Sequence, residues 1–165
     1  MIDTKVKTRR WSELYHSAVT IPSEGRQVGI LEDFFFEPDS SLIRALLIRD
    51  TMQQERALAN YYILEIEQKT ITISNADALI ERLPNLPTGH KLLNLPIVGE
   101  SGEEVGVVGE IMIGVVPTIA IRIAALTLPD YRSGILSGPK HISANNIVRY
   151  EQERIVIFDQ VARRL

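Results

Sequence analysis

The same pattern occurs twice in this chain, as ILEIEQKTITI at residues 63–73 and as IVRYEQERIVI at residues 147–157. Each copy has an apolar run, a Glu-Gln pair and a closing Ile-x-Ile, and the two Glu-Gln pairs are separated by 151 − 67 = 84 residues. Runs rich in β-branched residues are typical of strands, and a polar pair between two such runs indicates a turn. Both stretches therefore predict a β-hairpin that closes a repeated unit.

Two further matches extend the repeat toward the start of each copy. Residues 25–29 and 102–106 both follow Gly-x-x-Val-Gly at a separation of 102 − 25 = 77, and residues 43–46 align with residues 123–126 at 123 − 43 = 80. The matches keep the same order and their separation grows slowly, as expected when insertions collect between strands. The chain therefore contains one module twice, and the second copy starts near Lys91.

Both copies are predicted to be all-β. Short β-branched segments are separated by turn residues, as at residues 37–41, and short, closely spaced strands favour a small barrel because closure removes unpaired sheet edges. Residues 75–83 fit a short helix that ends before Pro84. The predicted organisation is an N-terminal tail at 1–10, a first β-barrel at 11–74, a short helix and Pro-rich linker at 75–90, a second β-barrel at 91–160 and a C-terminal tail at 161–165.

Each copy resembles the PRC-barrel family. The residues that carry the resemblance are Ser12-Glu13-Leu14, Val19, Gly25-x-x-Val28-Gly29, Asp33, Pro38 and residues 63–73 in the first copy, and Leu93, Ile97, Gly102-x-x-Val105-Gly106, Glu110 and residues 143–157 in the second. The resemblance implies tandem PRC-type barrels that serve as docking modules and share no catalytic residue. Members of the family include the cytoplasmic domain of the photosynthetic reaction-centre H subunit, a ribosome maturation factor and archaeal cell-division adaptors.

Composition and charge exclude several classes of function. The chain is 45% hydrophobic and 24% charged, which is ordinary for a globular protein, and its net charge of −3 disfavours DNA and RNA as partners. The absence of cysteine excludes disulfides, thiolate metal sites and thiol nucleophiles. The N-terminus lacks the apolar core of a signal peptide, and the longest apolar run, residues 111–121, is too short to span a membrane. We therefore expect a cytoplasmic protein without a transmembrane segment.

No catalytic, cofactor or metal site is predicted. The three histidines lie in different segments without ligand spacing, at positions His16, His90 and His141. The paired carboxylates flank hairpin turns, where polar residues are expected whatever the function, at positions Glu65, Glu67, Glu151 and Glu153. The Gly-x-x-Val-Gly motif lacks the spacing of a nucleotide-binding loop. We therefore do not expect an enzyme.

Two apolar features are candidates for contacts with another surface. Phe34, Phe35 and Phe36 place rings on both faces of a strand, so one face can fill a barrel while the other needs a cover. That cover is expected to be the second barrel, with a protein partner or a homodimer as alternatives. Val115, Val116 and Pro117 form an apolar hairpin tip in the second copy, where the first copy has the polar turn 37–41.

This tip suggests a contact site, with packing inside the molecule as the alternative. In the first case, changing Val115 and Val116 to Ser should leave stability unchanged. The basic residues near both termini, at 5–10 and 163–164, are expected to be solvated tails, with an anionic membrane surface or RNA as the alternative contact.

These features favour a non-catalytic adaptor without a bound cofactor, whose tandem barrels bind a protein partner in the assembly of a larger photosynthetic or membrane-associated complex. A ribosome maturation or RNA-proximal factor is the first alternative, and it rests on family analogy. A small-ligand or metal-binding protein is the second alternative.

Overall fold

The strands of the molecule are short and follow one another closely. The structure, a computed structural model, describes residues 7–129 and 140–165. The strands are β1 (Thr8–Arg10), β2 (Ala18–Ile21), β3 (Arg26–Phe36), β4 (Ile43–Asp50), β5 (Glu55–Ala59), β6 (Ile63–Glu67), β7 (Thr70–Ile73), β8 (Leu79–Ile80), β9 (Pro96–Gly99), β10 (Glu104–Val107), β11 (Glu110–Gly114), β12 (Arg122–Leu128), β13 (Lys140–Ser143), β14 (Ile147–Tyr150) and β15 (Ile155–Ile157). The described chain is therefore mostly β, as predicted.

The helical elements are single turns. The α-helices are α1 (Trp11–Leu14) and α2 (Asp159–Ala162), and the 3₁₀ helices are Pro22–Glu24, Asn60–Tyr62, Ala76–Ala78, His90–Leu92, Thr118–Ala120 and Ala144–Asn146. Within residues 7–129 and 140–165, no helix has the length and apolar character needed to cross a membrane.

Strand pairing repeats along the chain. The first copy forms a seven-stranded sheet in the order β6-β7-β2-β3-β4-β5-β8, and the second forms two sheets in the orders β10-β9-β15-β14 and β1-β11-β12-β13. The order β10-β9-β15-β14 repeats β3-β2-β7-β6, and β11-β12-β13 repeats β3-β4-β5. Each copy also has one parallel pair, β2 with β7 and β9 with β15.

The predicted closed barrels are not confirmed, because each sheet of the described residues has two free ends in its strand order. The long strand β3 belongs to both parts of the first-copy sheet. In the second copy the equivalent strand is interrupted at Val108 and Gly109, which separate β10 from β11. One apolar core nevertheless runs through both copies, with Trp11 and Phe34 from the first and Ile97 and Ile123 from the second. The copies therefore share a core instead of forming separate ones.

The segment that precedes each copy pairs with the other copy. Strand β1 is antiparallel to β11, with Arg10 opposite Met112. In the same way, Thr88 lies opposite Phe35 in β3. These pairs are repeat equivalents, since 88 − 10 = 78 and 112 − 35 = 77. The exchange of these two segments, Thr8–Arg10 and the stretch around Thr88, is therefore reciprocal. In the predicted tail at 1–10, residues 8–10 form a paired strand, while residues 1–6 lie outside the described residues; in the predicted linker at 75–90, Thr88 pairs with β3.

A local twofold axis passes between the copies where two equivalent residues meet. Leu42 forms an antiparallel bridge with Arg122, at a separation of 122 − 42 = 80. The Ile43 amide donates to the Ile121 carbonyl at 2.9 Å, and the Ile123 amide donates to the Ser41 carbonyl at 2.9 Å. Because each bond is matched by its repeat equivalent, the two copies are related by an approximate rotation about this bridge.

The predicted helix at residues 75–83 is wrong. Asn75 caps only the 3₁₀ turn Ala76–Ala78, where its side chain accepts a hydrogen bond from the Asp77 amide. The chain then continues into β8, which pairs with β5 through Leu79 opposite Leu58. Pairing with an existing sheet outweighs the weak tendency of a short isolated segment to form a helix.

Candidate functional site

Phe34, Phe35 and Phe36 are all buried. The Phe34 ring packs edge-on against Trp11 with centroids 4.9 Å apart, and the Phe36 ring packs edge-on against Tyr150 at 4.9 Å. These two rings fill the shared core, as alternation along the strand requires.

Phe35 lies on the opposite face of β3, and its cover differs from the prediction. It packs with Ala45, Leu47 and Leu86 in a small separate cluster. Leu86 belongs to the connection between the copies, and the next residue along, Pro87, accepts a hydrogen bond from the Phe36 amide at 3.1 Å. The cover is therefore the exchanged segment, which corrects the expectation of a second barrel, a partner or a homodimer at this face.

The apolar tip of the second copy is divided between core and surface. Val115 is 1% exposed, whereas Val116 is 47% exposed and Pro117 is also exposed. The Val115 amide donates to the Lys7 carbonyl at 2.8 Å, so β-type pairing continues beyond β11 and side chains keep alternating between the two faces. For Val115 the structure therefore agrees with the alternative of packing inside the molecule, and we no longer expect Val115→Ser to leave stability unchanged.

Val116 and Pro117 belong to a larger exposed apolar surface, which we call the tyrosine patch. Tyr61 is 65% exposed and Ile119 is 68% exposed, and they come from the 3₁₀ turns Asn60–Tyr62 and Thr118–Ala120, which pack against each other. The patch consists of Tyr61, Tyr62, Leu64, Val116, Pro117 and Ile119. Contiguous apolar surface of this kind is typical of interaction sites, and tyrosine is enriched where partners bind.

Polar contacts beneath the patch hold its two halves together. Asn60 is buried, and its side-chain amide donates to the Ile43 carbonyl at 3.0 Å and to the Ile119 carbonyl at 3.4 Å. The Thr118 hydroxyl donates to the Ile63 carbonyl at 3.2 Å. Both Asn60 donors are thus used inside the molecule, which leaves the apolar side chains facing outward in fixed positions.

The surface related to the patch by the twofold axis is polar. At the separation of 84 residues, Tyr61 and Tyr62 correspond to Asn145 and Asn146. The turn that corresponds to the apolar tip contains Glu37, whose carboxylate accepts hydrogen bonds from Arg44 at 2.8 Å and from Ser40 at 3.1 Å. The scaffold is therefore repeated, while the exposed tyrosines and the exposed apolar tip belong to one side; on the other side Val148 corresponds to Leu64, and Phe158, 39% exposed, donates from its amide to the Asn146 carbonyl at 3.2 Å.

The strand beside the patch carries exposed carboxylates. Of the described strands, β6 is the outermost on its side of the first-copy sheet, and it contains Glu65 and Glu67. Neither carboxylate has an ion-pair partner among the described residues. Their repeat equivalents are Arg149 and Glu151, which bind each other at 2.9 Å.

The structure brings together two histidines that are distant in sequence. The Tyr15 ring stacks on His16 with centroids 3.8 Å apart and on His90 at 4.6 Å. The Trp11 indole N–H donates to His90 Nδ1 at 2.9 Å, so this nitrogen is occupied. His141 lies elsewhere, on β13. No three residues capable of holding a metal form a group in residues 7–129 and 140–165.

Two equivalent acidic residues fasten the exchanged segments. Asp33 accepts hydrogen bonds from the Gly89 and His90 amides at 3.1 and 2.8 Å, and Glu110 accepts one from the Ser12 amide at 3.2 Å. Burial raises the pKa of Asp33 against the opposing effect of the amides that donate to it. Asp33 and Glu110 are 77 residues apart, so each copy holds the first turn of the other. We assign both residues a structural role.

Comparison with protein-family models and with curated proteins finds no match to this chain. The tyrosine patch and the carboxylates beside it are therefore the basis for a functional assignment.

Proposed function

We propose that the protein is a non-catalytic adaptor that docks a protein partner on the tyrosine patch. The observation that carries this proposal is that exposed tyrosines stand in one copy at the turn positions where the other copy has asparagines. If the patch only supported folding, the twofold-related positions Asn145 and Asn146 would need similar apolar residues, since they occupy the same place in the fold. The resemblance to the PRC-barrel family favours the same function, because that family provides docking modules.

The acidic character of the neighbouring strand argues against the RNA-proximal alternative. Glu65 and Glu67 would repel a phosphate backbone at the point where the patch would have to bind it.

We further propose that the adaptor acts in the cytoplasm, within a larger assembly that includes membrane-associated components.

Site-specific photo-crosslinking in native cells tests this proposal. A photoreactive phenylalanine analogue at Tyr61 should capture one protein, whereas the same group at the matched control position Asn145 should not. The change Ile119→Ser should abolish capture at Tyr61 without lowering the melting temperature, since Ile119 is 68% exposed. Equal capture at positions 61 and 145, or capture that survives Ile119→Ser, would reject the tyrosine patch as the docking site.

A further inference from the structure

The free edge of β6 continues from the tyrosine patch. Leu64 belongs both to the patch and to this strand, and the strand pairs only with β7 among the described residues. The Thr118 hydroxyl donates to the carbonyl of Ile63, the first residue of β6, and the turn Thr118–Ala120 packs against the strand. Within residues 7–129 and 140–165, the stretch from Leu64 to Glu67 has no second strand partner on this side. An open edge next to an apolar surface is the arrangement used when a partner adds a strand to a sheet.

The charges along this edge are not balanced within the described chain. Glu65 and Glu67 are both exposed, and the nearest basic residue in sequence, Lys69, donates to the Tyr15 carbonyl at 3.4 Å. On the twofold-related hairpin the carboxylate of Glu151 binds Arg149 at 2.9 Å and Arg154 at 2.7 Å. These hydrogen bonds, first from Arg154 and then from Arg149, lower the pKa of Glu151.

The same hairpin is therefore neutralised internally in the second copy and left acidic in the first. Opposite charges directly across a strand pair are favourable, and like charges are unfavourable. A basic segment would be attracted to this edge, and an acidic one would be repelled.

We propose that the docked partner presents an extended segment in which apolar residues alternate with Lys or Arg, and that this segment pairs with the edge of β6. Its apolar side chains lie on the tyrosine patch and its basic side chains lie near Glu65 and Glu67. This inference rests on the proposed function, and it adds the chemistry of the partner. RNA is a competing outcome, which the same two carboxylates disfavour.

Titration of the intact, ¹⁵N-labelled protein with two peptides tests the inference. One peptide alternates Val with Lys and the other alternates Val with Glu. The Val-Lys peptide should shift the amide signals of residues 61–67 and 116–119 and should bind about tenfold more tightly than the Val-Glu peptide, with the difference reduced by added salt. Equal binding of the two peptides, shifts confined to other residues, or stronger binding of a single-stranded RNA at this edge would overturn the inference.

Charge reversal supplies the matched control. The double change Glu65→Arg and Glu67→Arg should reverse the preference between the two peptides, whereas Glu153→Arg on the twofold-related hairpin should leave it unchanged. The inference fails if the reversed protein keeps the original preference.

The crosslinking experiment separates this failure from failure of the proposed function. If the protein captured at position 61 contacts β6 through an acidic or uncharged segment, the inference is wrong and the docking function stands. If no protein is captured at position 61, the docking function is wrong, and the inference is rejected with it.

Discussion

At the scale of single residues, burial separates side chains that support folding from those available to a partner. Val115 and Val116 are neighbours in sequence, yet one is 1% exposed and the other 47%. The division arises because successive side chains of an extended chain point to opposite faces. An apolar tip identified from its sequence therefore contains both kinds of residue.

Separate changes of these two valines should have opposite results. Val115→Ser should lower the free energy of unfolding by about 2 kcal/mol, because it removes buried methyl groups and buries a hydroxyl. Val116→Ser should change it by less than about 0.5 kcal/mol, as expected for an exposed position. Urea denaturation measures both values, and equal effects of the two changes would contradict the burial of Val115.

At the scale of elements, the exchanged segments are fitted closely to the strands that they cover. The Gly89 amide donates to the Phe34 carbonyl at 2.9 Å, and a Cβ atom at Gly89 would overlap the Phe34 ring. Gly25 differs, since a Cβ there would meet no atom within 4 Å and only its φ of +58° favours glycine. The two glycines therefore serve different purposes, close packing at Gly89 and a turn at Gly25.

This difference predicts that a glycine-to-alanine substitution lowers the free energy of unfolding by different amounts at the two positions. Gly89→Ala should destabilise the protein by about 3 kcal/mol, because the buried Phe34 ring has to move. Gly25→Ala should cost about 1 kcal/mol, the strain of a left-handed backbone conformation. Thermal or chemical denaturation of both variants checks the order, and a Gly89 variant as stable as the Gly25 variant would show that the exchanged segment packs loosely.

At the scale of the whole molecule, the two copies are one folding unit. They share an apolar core, they exchange their first segments, and they meet at the bridge between Leu42 and Arg122. Each of these contacts joins residues that are far apart in sequence, so a break in the connection between the copies removes none of them.

A protease site inserted between Arg82 and Leu83, which are both exposed, should test this unity. After cleavage the two fragments should elute together at the mass of the intact chain and unfold in a single calorimetric transition. Size-exclusion chromatography with light scattering gives the mass. Two independent barrels would instead separate on the column or unfold in two transitions.

Some features of the fold and of the candidate site follow directly from local sequence. The closing hairpins at 63–73 and 147–157 form as predicted, and the first glycines of the two motifs, Gly25 and Gly102, both have positive φ angles. Two of the three residues of the predicted tip, Val116 and Pro117, also belong to the tyrosine patch. These features depend on neighbouring residues, so a short window of sequence contains the required information.

Local sequence does not predict the remaining part of the patch. Tyr61 and Ile119 are distant along the chain and become neighbours only because the two 3₁₀ turns pack together. A signal was present in the repeat alignment, where Tyr61 and Tyr62 match Asn145 and Asn146. The two copies have the same 3₁₀ turn at this place, but its exposed residues are tyrosines in one copy and asparagines in the other. Such a change in side-chain chemistry at equivalent positions indicates a surface with a role other than folding.

The sequence by itself determined the closing hairpins, the turn glycines and the duplication, because alternating apolar residues and turn glycines act over a few residues. The tertiary structure alone decided which copy each first segment joins. Both copies offer the segment an equivalent strand, β3 or β11, so local pattern cannot distinguish pairing within a copy from pairing between copies. That choice depends on the hydrogen bonds and the shared core formed after the chain has brought distant residues together.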